Sequence, residues 1–558
     1  MVACTNPSGA WSNVRVTRPV GLTPGIDDAV DQLRADYDAT PYTSNAFPQS
    51  TPDQLAAIAH LFGLDPPAVA TARVLEIGCA AGGNIIPFAA FHPQAQVMGI
   101  DLSDVQIEHG RARVQALDLD NLELVAGDIA RTNLSGPFDY IVAHGVYSWV
   151  PADVQEALLA AIRRLLAPNG VAYLSYNTYP GWKAKEIVRD AMLLASGASE
   201  GPDEKVRAAL SMAEFLEEVA PPDGVLARVL AESRSANEEF DDSYLLHDEL
   251  ETFNAPCYFY ELVGRVGAHG LAYLAEARPE TMIPGNFGPK VEEQLLSKCG
   301  GVQILIEQYL DFVVNRTFRQ SLLVHAERAA QIRYQPDRSR LAGMHFAAWV
   351  PPVDGPTVLD HSRQEYRQGE DSTLFTNDPG IKAALDALSA RWPWTLSRQE
   401  LVDEVHARLV SAGLRPAAEL SEVVDNLVQL LIFQGQASFR LDPVLPDPAA
   451  GPLRLDEPTR RMAELTGADA GPSTFTRWHE TVPLTPLDRH LLPLLDGTRD
   501  RDALVDGLLA AVLSESGAAE PDGTPAPDDE AGLRNGVAEY VDAAPKRLAE
   551  LKLLRVEG

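Results

Sequence analysis

An apolar run that breaks into a turn of small residues is the feature that most constrains this chain. Residues 73–84 read RVLEIGCAAGGN, and Glu76 is the one acid in the apolar part. A strand that leads through such a turn into a helix places backbone N–H groups and a helix N-terminus at its carboxyl end. Glycines at 78 and 82 allow a ligand to approach the backbone where a Cβ would clash. The pattern predicts a site for a nucleotide-like ligand, although a tight strand–helix turn needs glycine with or without one.

Two further apolar runs also end in acids. Residues 97–101 read VMGID and end in Asp101, and residues 122–125 are followed by Gly127 and Asp128. A carboxylate at the tip of the second strand can accept hydrogen bonds from both ribose hydroxyls, and Asp128 is suited to receive an adenine amino group. Because no strand end carries a phosphate-cradling lysine, the sequence favours a cofactor without a pyrophosphate.

Strands alternate with helices through the first 200 residues. Residues 138–143 and 170–176 predict the fourth and fifth strands, and Ser103 and Pro151 precede predicted helices. Such alternation implies right-handed crossovers and a mainly parallel sheet. We therefore expect an α/β fold with a doubly wound, Rossmann-like domain at residues 51–200.

This pattern resembles the class I S-adenosylmethionine-dependent methyltransferases, and the resemblance implies S-adenosyl-L-methionine as the cofactor. Ala80 stands where that family most often has its middle glycine, a small change that we do not expect to endanger binding. The predicted cofactor-binding set is Tyr42, Ser44, Glu76, Gly78, Cys79, Ala80, Gly82, Asn84, Asp101, Leu102, Asp128, Ile129 and His144.

Charge and cysteine content limit the partners of the chain. The 558 residues include 46 Lys and Arg against 79 Asp and Glu, a formal charge of −33. Phosphate contacts need clustered basic residues, so we expect no nucleic acid partner. The acidity either attracts a basic protein substrate or only solubilises the surface. Four cysteines, at 4, 79, 257 and 299, form no C-x-x-C pair and no metal-type grouping with histidine.

No metal site is therefore expected, and the cysteine pattern fits a reducing compartment. The chain shows no signal peptide and no apolar run long enough to span a membrane. We expect a soluble, cytoplasmic protein without membrane insertion.

The rest of the chain divides into four further regions. Residues 1–50 form an N-terminal segment in which 37–47, YDATPYTSNAF, either covers the cofactor as a lid or packs on the sheet edge. Residues 201–335 show helical spacing, and we expect the strand pattern to stop near residue 200. Residues 336–450 and 451–558 each predict three helices with a β-ribbon, as in winged helices. Both are acidic and lack a basic recognition helix, which favours packing or protein contacts over DNA binding.

Aromatic residues cluster where the fourth and fifth strands end. The fourth strand leads into HGVYSWV at 144–150 and the fifth into SYNTYPGW at 175–182. In the methyltransferases that the chain resembles, the methyl group projects toward these strand ends. Aromatic walls can hold an amine by cation–π attraction. His144 could take the amine proton, or Tyr147 or Tyr179 could accept it through water, with Trp149 as a wall. Alternatively, Trp149, Tyr176 and Trp182 only cap the sheet.

Longer stretches extend the resemblance over most of the chain, from about residue 34. YDATPYTSNAFPQSTPDQL, RVLEIGCAAGGNIIPFA, FDYIVAHGVYSWVP, YLLHDELETFNAPCYFYELVGRVGAHGLAYLAEA and LLDGTRDRDAL are similar to the bacterial protein-lysine methyltransferases that carry a methyltransferase regulatory domain. The resemblance places the cofactor on Glu76, Gly78, Asp101 and Asp128, with Tyr42 and Ser44 in the lid.

The leading hypothesis is methyl transfer to a lysine side-chain amine of a protein substrate. An alternative acceptor is a small molecule or peptide natural product, and a second alternative is a non-catalytic, cofactor-sensing regulator. A protein acceptor needs an open groove between the first two domains, whereas a small acceptor needs a closed cavity. A homodimer is possible.

Overall fold

A seven-stranded sheet forms the centre of the protein. The structure, a computed structural model, describes residues 26–39, 44–197, 199, 201–237, 250–251, 253–368, 372–445, 452–465, 473–516 and 530–554. The strands of this sheet are β1 (Arg73–Ile77), β2 (Gln96–Asp101), β3 (Leu122–Ala126), β4 (Phe138–Ala143), β5 (Leu166–Asn177), β6 (Leu271–Glu276) and β7 (Phe318–His325). Their order is β3-β2-β1-β4-β5-β7-β6, and β7 runs antiparallel to both of its neighbours.

The first five strands pair in parallel, which confirms the predicted doubly wound, Rossmann-like sheet. Side chains of β1 alternate between its faces, so that Val74 joins the core on one side and Leu75 the core on the other. The helices of this part are α1 (Ile26–Ala39), α2 (Pro52–Leu61), α3 (Ile85–Phe91), α4 (Asp104–Ala116), α5 (Ala152–Leu165) and α6 (Gly181–Ser196). Ser103 caps α4 by accepting a hydrogen bond from Gln106 N at 3.1 Å.

The expectation that the strand pattern stops near residue 200 is wrong. Strands β6 and β7 lie beyond that point and complete the sheet beside β5. Residues 201–335 also supply the helices α7 (Pro202–Val219), α8 (Val225–Asn237), α9 (Phe259–Ala268), α10 (Pro289–Cys299) and α11 (Gln303–Val314). One buried core joins Leu75 of β1 to Leu262 of α9 and Leu323 of β7, so the predicted boundary at residue 200 does not separate two cores.

A fully buried arginine explains why β7 escaped the sequence pattern. Arg319 interrupts the apolar run of this strand, but its Nη1 lies 2.7 Å from Glu276 Oε1 and its Nε lies 2.9 Å from Asp311 Oδ2. Nη1 also reaches Glu307 Oε2 at 3.1 Å, and the guanidinium lies over the ring of Phe259. The charge therefore ties β7 to β6, α9 and α11.

The first winged-helix module packs against the sheet through α2. It contains α12 (Pro379–Arg391), α13 (Arg398–Ser411) and α14 (Leu420–Phe433), as predicted, and a small sheet of β8 (His345–Ala347), β11 (Leu396–Ser397) and β12 (Ser438–Arg440). Residues 331–376 precede the predicted helices of this module and supply β8 and the hairpin β9 (Gln364–Gln368) and β10 (Ser372–Thr376). Arg440 forms an ion pair with the buried Asp53 of α2.

The second winged-helix module has a core of its own. Its helices are α15 (Glu457–Glu464), α16 (Pro486–Leu494), α17 (Arg501–Ser516) and α18 (Glu530–Glu550), and its ribbon is β13 (Ser473–Phe475) with β14 (Thr481–Pro483). The ribbon precedes the last three helices. The apolar pattern predicts a terminal strand at 553–556, but residues 553–554 are not in a strand. The sequence also predicts an acidic, Pro- and Gly-rich insert at 515–531, of which residues 517–529 lie outside the described residues. Within the described part of the chain, no helix is long and apolar enough to cross a membrane.

Candidate active site

A cavity of about 200 Å³ lies where β1, β2 and β4 end. Most of the predicted cofactor residues line it: Ser44, Glu76, Gly78, Cys79, Ala80, Asn84, Asp101, Leu102, Asp128, Ile129 and His144. The turn that follows each buried strand brings these residues to one edge of the sheet. Gly82 is not among the lining residues, and Tyr42 lies outside the described residues. Two residues of α1 that we did not predict, Val30 and Leu33, also face the cavity, and so does Tyr37, the first residue of the predicted lid segment.

The loop after β1 adopts a tight, left-handed course. Gly78 has a φ of +75°, and a Cβ there would lie 2.3 Å from Val146 Cγ2. Ala80 has a φ of +46°, a region that favours glycine. Gly82, with a φ of +78°, closes the turn by donating its N–H to Cys79 O at 2.8 Å. The glycines at 78 and 82 are therefore required by the backbone, and the middle position holds an alanine under strain.

Asp101 connects this loop to the end of β2. Its Oδ2 accepts a hydrogen bond from Ala80 N at 2.8 Å, and its Oδ1 accepts one from Ser103 N at 2.9 Å. Burial raises the pKa of this carboxyl. Each oxygen has a lone pair left for a hydroxyl donor in the cavity. Asp128 lies on the neighbouring turn, where its Oδ1 accepts a hydrogen bond from Ala130 N at 2.8 Å.

Glu76 faces the same cavity with an unsatisfied oxygen. Its Oε1 accepts a hydrogen bond from Asn84 Nδ2 at 2.6 Å, whereas the buried Oε2 has no hydrogen-bond partner among the described residues. Burial raises the pKa of Glu76 to about 8. A buried carboxylate of this kind requires a cationic or hydrogen-bonding ligand. The ammonium and sulfonium of S-adenosyl-L-methionine supply that charge, so the residues fit this cofactor.

The segment that follows α1 lies directly on the glycine loop. Ser44 Oγ accepts a hydrogen bond from Gly83 N at 2.7 Å, and a Cβ on Gly83 would lie 2.1 Å from Ser44 O. Phe47 N donates to Asn84 Oδ1 at 2.9 Å. Asn45 and Phe47 line the cavity along with Ser44. Whether this segment opens and closes as a lid stays a prediction.

His144 and Trp149 form the wall of the cavity beyond the acids. The ring of Phe47 lies 4.0 Å from the ring of His144, centroid to centroid, and His144 Nδ1 is 2.8 Å from the hydroxyl oxygen of Tyr173. Burial lowers the pKa of His144 to about 4, so its imidazole is neutral at physiological pH. Trp149 is 7% exposed and makes an edge-on contact with Trp182, at 6.1 Å.

Two of the four predicted catalytic residues do not line this cavity. Tyr147 is fully buried in the core on the α5 side of the sheet, where its hydroxyl accepts a hydrogen bond from Arg265 Nη1 at 3.3 Å. The Tyr179 hydroxyl donates to Glu186 Oε1 at 2.9 Å, and Lys183 Nζ lies 4.7 Å from the Tyr179 ring centroid. Loop residues have no periodicity that would tell from sequence which side chains turn toward the site. Among the described residues, no group of acidic, histidine and cysteine side chains is arranged to hold a metal ion.

Three family models match successive parts of the chain. A methyltransferase domain matches residues 75–172, a predicted methyltransferase regulatory domain matches 241–325, and a PKMT C-terminal winged helix domain matches 457–553. The regulatory match includes β6 and β7, which the structure places in the catalytic sheet. The fold and the matched domains define an S-adenosylmethionine-dependent methyltransferase.

Relatives and a solved structure cover nearly the whole chain. An uncharacterised protein of Rickettsia prowazekii is 33% identical over 488 residues, which are 85% of this chain and 86% of that protein. A second protein of the same organism is 38% identical over 41% of this chain and 92% of its own length. The structure of PKMT2 from Rickettsia typhi in complex with AdoHcy superposes with a TM-score of 0.79 at 26% identity, covering 92% of this chain and all of that one. The chain belongs to the PKMT-like family of S-adenosylmethionine-dependent methyltransferases.

Proposed function

We propose that this methyltransferase methylates the ε-amine of lysine in a protein substrate. The observation that carries the proposal is the shared cavity, which is lined both by the acids of the cofactor site and by the aromatic side chains of Phe47, His144 and Trp149. An amine that carries charge or methyl groups is attracted to the faces of aromatic rings.

The residues of the chain perform three tasks in this reaction. When bound, the cofactor supplies a methyl group on a sulfonium. Asp101 and Asp128 hold and orient the cofactor, whereas Phe47 and Trp149 exclude water and hold the acceptor nitrogen in line with the methyl group. His144 orients the acceptor as a neutral wall, because a pKa of about 4 makes its ring a poor acceptor for an amine proton. The amine therefore loses its proton to water before transfer.

Support for a protein acceptor comes from the surface beside the cavity. Phe318 is 36% exposed, and its ring centroid lies 6.1 Å from that of His144. Tyr260 and Phe312, whose rings both contact the ring of Tyr258 beside Tyr179, are about half exposed. A polypeptide can cover such apolar surface, whereas a small acceptor leaves it in contact with water. The similarity to PKMT2 of Rickettsia typhi extends through the regulatory and winged-helix regions and supports the same conclusion.

The test uses the full chain with methyl-labelled S-adenosyl-L-methionine and a lysate of the source organism separated by size. We expect label in the macromolecular fraction, and methyllysine after acid hydrolysis. Trp149→Ala should lose most of the labelling while binding the cofactor with nearly unchanged affinity, because its contacts lie on the acceptor side. Label confined to small molecules would contradict a protein acceptor and favour a small-molecule or peptide substrate. Binding without any label would favour the cofactor-sensing regulator.

We also propose a reducing, cytoplasmic location, supported by the buried free thiols of Cys79, Cys257 and Cys299. Fractionation of cells followed by detection of the protein tests this location. The possible homodimer stays a prediction, which size-exclusion chromatography with light scattering decides.

A further inference from the structure

The amide of Asn84 joins three parts of the chain at the cofactor loop. Its Nδ2 donates to Glu76 Oε1 at 2.6 Å and to Ser50 Oγ at 3.0 Å. Its Oδ1 accepts from Phe47 N at 2.9 Å. The backbone N–H of Phe47 fixes which end of the amide is the oxygen. Asn84 thus holds the carboxylate of Glu76 and the segment after α1 in one arrangement.

A fourth contact to this amide comes from the second winged-helix module. His479 Nε2 lies 2.9 Å from Asn84 Oδ1, although 395 positions separate the two residues in the chain. Because the Asn84 oxygen is an acceptor, Nε2 carries the hydrogen and donates it. Burial lowers the pKa of His479 to about 4, so the ring is neutral and the donating tautomer is set by this bond.

The turn between β13 and β14 holds His479 in place. Its φ is +61°, and its backbone N–H donates to Thr476 O at 3.0 Å. The side chain is 6% exposed. Two residues further along, Thr481 Oγ1 accepts a hydrogen bond from Ala46 N at 2.9 Å. The ribbon therefore contacts both the cap of α3 and the segment that lies on the glycine loop.

We propose that His479 is a positioning residue for cofactor binding, through which the second winged-helix module completes the cofactor site. The hydrogen bond from His479 favours the orientation of Asn84 in which Nδ2 faces Glu76. The carboxyl group of Glu76, which lines the cavity, is then held in one position for the ligand. This proposal rests on the cofactor site and not on the identity of the methyl acceptor, so it can fail or hold independently of the proposed substrate.

Two replacements of His479 separate a positioning role from a packing role. His479→Leu fills the space without a donor, whereas His479→Gln keeps an N–H that can reach Asn84 Oδ1. Both variants keep a non-glycine residue at the left-handed backbone of position 479, so the energetic cost of that conformation is the same in the two. By calorimetry with the full-length protein, we expect the Leu variant to bind S-adenosyl-L-methionine on the order of tenfold more weakly, and the Gln variant within about twofold of the parent.

The matched control is Arg501→Ala, in the same module, where Arg501 pairs with Asp542 at the surface. Its cofactor affinity should equal that of the parent. Parental affinity in the Leu variant would overturn the proposal, and so would a Gln variant as weak as the Leu variant. If the Leu variant does not fold, Thr481→Val is the second test. It should weaken cofactor binding and speed hydrogen exchange at residues 44–50, and unchanged values of both would overturn the proposal.

Discussion

Two buried glutamates of the same sheet, one on the edge strand β6 and one on the inner strand β1, behave in opposite ways. Glu276, on β6, accepts hydrogen bonds at both oxygens, from Arg319 and Ser321 at Oε1 and from Gln320 N at Oε2. Burial acts to raise its pKa, but the charges of Arg319 and Arg316 and the hydrogen bonds from Gln320 and Ser321 together lower that pKa below the usual value. Glu76, on β1, has one oxygen without a described partner and a pKa of about 8.

The difference distinguishes a buried glutamate that stabilises the fold from one that belongs to a ligand site. A buried carboxylate whose oxygens all have protein partners stabilises the fold, and its charge is neutralised within the chain. When a buried carboxylate lines a cavity and one of its oxygens has no protein partner, a bound ligand can provide the missing partner. Burial alone therefore does not identify a functional acid, whereas unpaired burial beside a cavity does.

The largest expected effect is a loss of stability when Arg319, the cation that pairs with Glu276, is removed. Arg319→Met leaves the buried Glu276 and Glu307 without a paired cation and Asp311 with Arg316 alone, and we expect a loss of about 3–5 kcal/mol in the free energy of unfolding, measured with urea. The exposed Arg501→Ala serves as the control and should leave the free energy of unfolding almost unchanged, because exposed ion pairs contribute little to stability. If the Met variant lost as little stability as the control, Arg319 would not be needed to neutralise the buried acids, and the contrast between Glu276 and Glu76 would not hold.

In the cofactor site, Asp101→Asn should weaken cofactor binding, whereas the protein should still fold. The new amide nitrogen has to face the N–H of either Ala80 or Ser103, so one donor is left unpaired and the oxygens offered to the ribose are reduced. We expect an affinity loss of about 1.5–3 kcal/mol by calorimetry. Asp104→Asn, an exposed neighbour on α4, is the matched control, and equal affinities in the two variants would remove Asp101 from the site.

The pH dependence of binding tests Glu76 directly. A raised pKa means that the free protein gains stability from the protonated acid at low pH and loses it as the pH rises from the unfolded value through about 8. A cationic ligand needs the ionised form, so affinity should fall with decreasing pH below 8, approaching tenfold per pH unit. Glu76→Gln should flatten this slope. A parental slope that survives in the Gln variant would assign the titration to another group.

The smallest effect concerns strain in the glycine loop. Ala80→Gly should relieve the left-handed backbone and raise the free energy of unfolding by less than about 1 kcal/mol, because glycine also costs more entropy on folding. Gly78→Ala is the opposite case, since its Cβ would collide with Val146, and it should destabilise the protein. Thermal denaturation measures both, and an unstable Ala80→Gly variant would show that no strain is stored there.

The sequence predicts those features that depend only on residues close together in the chain. The buried strands β1 and β2, which carry Glu76 and Asp101 near their carboxyl ends, could be predicted, because the apolar run of a strand and the turn that ends it are both local. Strand β7 could not be predicted from its own residues, because Arg319 is neutralised by acids from β6 and α11. The contact between Asn84 and His479 leaves no local signal either, since it forms only after distant modules pack.

The position of β7 in the chain has a consequence for biosynthesis. Strand β5 is made first, and its hydrogen-bonding edge meets β7 only after residue 325 has been translated. At about 5–20 residues per second, the intervening chain takes on the order of 10 seconds to emerge. During that interval the growing polypeptide presents an unpaired, largely apolar strand edge, which is a template for aggregation. The length of the chain between β5 and β7 therefore sets how long this edge stays unpaired during synthesis.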